Sequence, residues 1–149
     1  MSKTYISVAL RQLVRDRAQN TCEYCLIPEI AVLVPHEVDH VIAEKHGGQT
    51  IADNLALACT LCNKYKGSDV ASIDPDNGEI VRLYRPNRVG EASPRENRWA
   101  EHFRLNAGEV SPLTAIGRVT VRLLQLNRSE RVAERHLLFA ANLLKLSEK

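Results

Sequence analysis

"CTLCNKYKG", residues Cys59 to Gly67, sets a C-x2-C pair at the start of about two helical turns that end on a glycine. Such a pair offers two thiolates from one tight turn, which is half of a tetrahedral metal site. The other half stands upstream in "CEYC", Cys22 to Cys25, a stretch too short for a regular element and read as a second knuckle. Two facing knuckles make a closed four-thiolate site of Cys22, Cys25, Cys59 and Cys62, suited to structural Zn2+. Every position is filled by protein, so the site would not activate water. A thioredoxin-like redox pair fits less well, because "CEYC" follows a helical pattern and the second pair would be unexplained.

The chain has 149 residues, which suggests one domain or one small core with an extension. That length can bury a usable apolar core, but a subdomain of roughly 70 residues usually needs a staple, and a metal supplies one. Lys and Arg number 20 against 18 Asp and Glu, a formal net charge of +2. Affinity for nucleic acid must therefore come from how the basic residues are placed. The opening residues hold no apolar run long enough for a signal peptide, and no membrane-spanning run occurs, so a cytoplasmic protein is expected. In a reducing compartment the four cysteines are metal ligands sooner than disulfides.

Upstream of the first knuckle, "SVALRQLVRDRAQ" (7–19) places Leu10, Leu13, Val14 and Ala18 at helical spacing with Ser7 as the cap. After it, Ile30 to about Val41 reads as extended. Val32, Val34, His36, Val38 and His40 share one face, with Leu33, Glu37 and Asp39 on the other. "KHGGQT" is a glycine loop and "NLALAC" a short extended or turn segment, so the order is strand, loop, short strand, helix. "DPDNGE" (74–79) is a dense turn signal, expected to divide a core of residues 1–75 from an extension of 76–149.

Beyond it, "EIVRLYRP" alternates like a strand, and a polar Pro/Gly loop follows. "RWAEHFRLNAGEV" reads as two strands or ribbon segments joined at Asn106 to Gly108. Two amphipathic helices close the chain, with Ile116, Val119, Leu123 and Leu126 and then Val132, Leu137, Leu138 and Leu144 as apolar positions.

Between and just past the knuckles lie Asp39-His40, Gly47-Gly48, Asn54-Leu55 and Asn63. The order "CEYC…VDHVIA…HGG…DNLALACTLCNKYKG" resembles the HNH endonucleases that carry a four-cysteine zinc site, over roughly Cys22 to Gly67. The resemblance implies an α+β fold with a ββα-metal (His-Me finger) core, here with an N-terminal helix and a C-terminal strand-plus-helix extension. It implies hydrolysis of phosphodiester bonds in DNA, expected to be double-stranded, leaving 5′-phosphate and 3′-hydroxyl ends.

Under that resemblance His40 is the general base, a role an imidazole suits because its ordinary pKa lies near working pH. Asp39 and Asn63 are expected to hold a catalytic Mg2+ or Mn2+, hard cations that take oxygen ligands. Asn63 stands where many members have histidine. Asn54 takes the place of the central asparagine that hydrogen-bonds across the loop and fixes the base. Asp39 and His40 point to opposite sides of an ideal strand, so the strand has to bend at its end.

For the neighbours two readings stay open. His36 either contacts phosphate or assists the metal, or is a solvated or backbone-bonded histidine at a strand edge; Lys64 and Lys66 either contact substrate phosphates or form a solvated helix face; His46 either supports the loop or acts directly. Arg11, Arg15 and Arg17 either form a backbone-binding edge or a salt-bridged helix face. In the tail, Trp99, His102 and Phe103 are expected in the core. Arg82, Arg85, Arg88, Arg95, Arg98 and Arg104 form a possible phosphate track interrupted by Glu91, Glu96 and Glu101. An alternative of a different class is a catalytically silent zinc-dependent module that binds nucleic acid. Protein partners and oligomeric state are left open by the sequence.

Overall fold

The computed structural model describes residues 4–86 and 98–144. Ser7 caps helix α1 (Val8–Ala18) by accepting a hydrogen bond from the Leu10 amide. The inner face of α1 packs on strands β1 (Glu37–His40) and β2 (Leu55–Ala58), which pair antiparallel with Asp39 opposite Ala56 and His40 opposite Leu55. Ile6, Val14, Ala18, Val38, Leu55 and Leu57 form the small core between them. Helix α2 (Thr60–Lys66) follows β2 after Cys59, its N-cap residue, and stops at Gly67.

The extended reading of Ile30 to Val41 holds only from Glu37 to His40. Before that the chain makes a 3-10 turn at Glu29–Ala31 and a bend at 32–34. The cause is Glu29. Its carboxylate accepts from Arg15 at 2.9 Å and from the His36 amide at 2.7 Å, folding the segment back on itself. Burial acts to raise the Glu29 carboxyl, but these bonds and the Arg15 charge hold it below its ordinary value. Ile30 and Leu33 are left exposed at the bend. The period-two face survives in His36, Val38 and His40, all buried.

The turn after Asp74 joins β3 (Ala71–Ile73) to β4 (Ile80–Arg82) as an antiparallel hairpin. Residues 87–97 of the expected polar loop, with Arg88, Arg95, Glu91 and Glu96, lie outside the described residues. Trp99–His102 is a short helix, α3, where the sequence suggested ribbon; the ribbon is β5 (Phe103–Asn106) with β6 (Glu109–Pro112). Helices α4 (Ala115–Leu123) and α5 (Ser129–Ala140) close the fold.

A second core gathers the four cysteines with Tyr24, Ile27, Leu83, Tyr84, Phe103, Val119, Leu124 and Leu126. The aromatic residues of the tail pack there as expected: Trp99 lies 5.0 Å and Tyr84 5.4 Å from the Phe103 ring. Trp99 also donates its indole N–H to the Tyr24 carbonyl of the first knuckle. Helix α5 departs from its apolar pattern. Leu137 is 70% exposed, so the roughly 1.5–3 kcal/mol that burying such a side chain contributes is not gained. Its buried residues are Arg131 and Arg135.

Candidate functional site and metal centre

Each knuckle is built by amide-to-sulfur bonds that only a tight turn allows. The Cys25 amide points at Cys22 Sγ at 3.5 Å, and the Cys62 amide at Cys59 Sγ at 3.4 Å. The first knuckle is also tied to β2, since the Glu23 amide donates to the Leu57 carbonyl and the Glu23 carboxylate accepts from the Leu57 amide. The four sulfurs lie within 4.8 Å of one another, all buried. Cys25 Sγ and Cys59 Sγ are 3.6 Å apart, close to the ~3.8 Å edge of a tetrahedron with zinc–sulfur bonds of about 2.3 Å.

Burial pushes the Cys22 thiol well above its ordinary value, while hydrogen bonds from Cys22, Cys25 and Cys62 hold Cys59 far below the usual thiol range. Donor chemistry, burial and spacing all fit a structural zinc ion.

The chain between the knuckles is clamped by Asn54. Its side-chain carbonyl accepts from the Ile42 amide, and its amide nitrogen donates to the Ile42 and Gln49 carbonyls, each at 2.9 Å. The Asn54 carbonyl also takes the Val41 amide at 2.8 Å. A single side chain thus satisfies the backbone where β1 ends and the chain bends. Gly48 permits the approach: a Cβ there would stand 1.7 Å from the Ile42 oxygen.

His40, the last residue of β1, is 4% exposed. Its Nε2 lies 2.9 Å from Thr50 Oγ1, and its Nδ1 is buried with no hydrogen-bond partner. Asp39 is half-buried on the opposite face of β1, the face that carries Glu37. Glu37 accepts from the side-chain amide nitrogen of Asn63 on α2 at 2.6 Å. This leaves the Asn63 amide oxygen as the acceptor end, and with the Asp39 carboxylate it is the hard oxygen chemistry that Mg2+ or Mn2+ takes.

The neighbours divide. His36 is buried, with Nε2 2.9 Å from the Ile27 carbonyl. Lys66 is 3% exposed with its ammonium 3.5 Å from the His40 carbonyl, and burial lowers its pKa against the pull of Asp39 and Asp69. Lys64 is exposed, 6.0 Å from the Tyr65 ring, and Arg128 stands 5.4 Å from the same ring. His46 is exposed in the 3-10 turn Glu44–His46.

The arginines of α1 are used internally. Arg15 pairs with Glu29 and donates to the His36 carbonyl; Arg17 donates to the Ala52 and Leu55 carbonyls; Arg11 donates to the Ile6 carbonyl. Thr50, Arg131 and Arg135 carry no signal in the sequence pattern. Thr50 meets His40 across ten residues of loop, and the two arginines reach the cysteines from α5.

Residues 22–69 match the HNH endonuclease family model, and this segment of the chain is an HNH domain. Its bounds enclose both cysteine pairs, Asp39, His40, Asn54 and Asn63. No curated protein and no solved structure matches the chain. Among the described residues no helix is long and apolar enough to cross a membrane.

Proposed function

We propose that the chain is a metal-dependent endonuclease that hydrolyses phosphodiester bonds in double-stranded DNA, with a ββα-metal centre formed by β1, β2 and α2. The observation that carries this reading is the setting of His40. Nε2 is engaged by Thr50 while Nδ1, although buried, has no protein partner and so is the ring nitrogen left to take a proton from water. That role requires the tautomer in which Nε2 carries the proton and donates to Thr50, which puts the lone pair on Nδ1. Asn54 keeps the imidazole in place by holding the bend that follows it. Asp39 and Asn63 would hold a Mg2+ or Mn2+ ion, which supplies charge stabilisation at the scissile phosphate and the leaving 3′ oxygen.

Lys64, exposed and adjacent to Asn63, is assigned to the DNA backbone. We assign His36 and Lys66, both buried against carbonyls, to holding the fold. Residues 1–75 are proposed as the nuclease core and 76–149 as an extension packed on it.

One observation favours the silent nucleic-acid-binding module instead: His40 is only 4% exposed. The two readings separate on supercoiled plasmid incubated with Mg2+ or Mn2+ against EDTA, using the parent, Asp39→Ala and Asn63→Ala. The nuclease reading expects cutting that stops in EDTA and variants that require more metal. A zinc-loaded parent that binds the plasmid and leaves it intact at every metal concentration supports the silent module.

A further inference from the structure

Helix α5 turns two arginines inward where its apolar spacing suggested leucine. Arg131 is 5% exposed and Arg135 fully buried. A buried guanidinium is costly unless charge of the opposite sign lies beside it. Arg131 finds one carboxylate, Glu134 at 2.8 Å, itself 40% exposed, and turns its other terminal nitrogen to Cys59 Sγ at 3.5 Å. Arg135 is held by neutral acceptors: the Gly108 carbonyl at 2.7 Å, the Leu126 carbonyl at 2.5 Å, and Cys25 O and Asn127 Oδ1 at 3.3 Å. Among the described residues no carboxylate pairs with Arg135. Both reach the cysteine cluster, one through a sulfur and one through the backbone of a ligand residue.

Four thiolates around one divalent cation leave two net negative charges in a buried site. We propose that Arg131 and Arg135 are the counter-charges of the metal-loaded four-cysteine site, so that metal retention and the docking of α5 depend on each other. The charges agree in sign and position. Arg131 acts as a positioning residue for the thiolates by donating to Cys59, the outer partner that metal ligands commonly need. Arg135 supplies field and a bond to Cys25. The metal site thereby holds α5 to the knuckles although 65 residues separate Ser129 from Asn63 in the chain. By linkage, whatever strengthens one strengthens the other. This inference rests on the zinc site alone and stands whether or not the domain cuts DNA.

The test compares zinc-loaded parent, Arg131→Met, Arg131→Lys and Leu138→Ala for the rate of zinc transfer to a chromophoric chelator. Cobalt-substituted forms of each are compared for the position of the thiolate-to-cobalt band. Leu138 on α5 packs against the same core and carries no charge, so its variant loosens α5 and leaves the charge in place. Arg131→Met is expected to release zinc about tenfold faster and to shift the cobalt band. Arg131→Lys should stay near the parent, and Leu138→Ala should leave the band unmoved. Where Arg131→Met fails to fold with metal, Arg131→Gln replaces it, keeping a donor and losing the charge, with the same expectation. Release at the parent rate with an unmoved band would overturn the proposal. So would equal acceleration in the Lys and Met variants, or a band shift in Leu138→Ala as large as that in Arg131→Met.

Discussion

The Thr50 hydroxyl stands 2.9 Å from His40 Nε2, so the imidazole at the end of β1 is held from the loop that Asn54 closes. A hydroxyl there, able to donate or accept, fixes the orientation of the ring whichever nitrogen carries the proton. Thr50→Val is predicted to lower kcat for plasmid nicking by about tenfold, part of the roughly 10²–10⁴-fold that a general base supplies. Thr50→Ser should restore most of it, with KM unmoved in both. Nicking by the valine variant at the parent rate would show that Thr50 has no hold on the base.

Asn54 makes three side-chain hydrogen bonds from a buried position. Asn54→Ala leaves the Ile42 amide and two carbonyls without their partner and is predicted to cost about 2–4 kcal/mol. Urea denaturation of the zinc-loaded proteins measures this. A loss of under about 0.5 kcal/mol, the size of an ordinary surface substitution, would mean that water replaces the clamp.

Two glycines should respond differently to alanine. At Gly48 the new Cβ meets the Ile42 oxygen at 1.7 Å and Asn54 Nδ2 at 2.8 Å, so Gly48→Ala must displace backbone or break the clamp. A cost of about 3 kcal/mol or more is predicted. At Gly78, with φ +78° and nothing within 4 Å, the penalty is only that of the left-handed backbone, about 1 kcal/mol. Equal urea midpoints for the two variants would contradict the close packing drawn for residue 48.

Asp74 accepts from Arg118 at 2.8 Å and from the Asp76 amide at 3.0 Å. The Arg118 bond, then the Asp76 amide, lower its carboxyl from 3.8 to about 2. A depressed folded-state pKa contributes stability above the unfolded value that is lost as pH falls through the folded one. Both states are therefore ionised above about pH 5. The stability difference between parent and Asp74→Asn should stay level from pH 8 down to about 5. Below about pH 5 the difference should shrink as pH falls toward about 2, and a difference that stays constant across that range would contradict a depressed carboxyl.

The parts of the site that the sequence reveals are those set by short spacing. Cys22 with Cys25, Cys59 with Cys62, the Ser7 cap and the Gly67 stop each depend on residues a turn apart, and the helix and strand elements around them follow. What the sequence hides depends on long-range charge. Nothing local announces that Glu29 folds residues 30–34 out of an extended path, because its partners are Arg15 and the His36 amide. Hydropathy turned Leu137 inward on α5, but Arg131 and Arg135 occupy that face because sulfurs and carbonyls await them. Thr50 was silent for the same reason: a hydroxyl in a loop signifies nothing until the loop brings it to His40.

The central claim is that His40 is the base of a nuclease, and the most direct test measures cutting and binding on the same preparations. Parent and His40→Ala, both zinc-loaded and folded by circular dichroism, are compared for nicking of plasmid in Mg2+ or Mn2+ and for affinity to the same DNA. The account predicts that cutting falls by at least about a hundredfold while affinity changes less than about twofold. Cutting by His40→Ala at the parent rate would contradict the assignment of the base, and a parent that binds without cutting would contradict the nuclease itself.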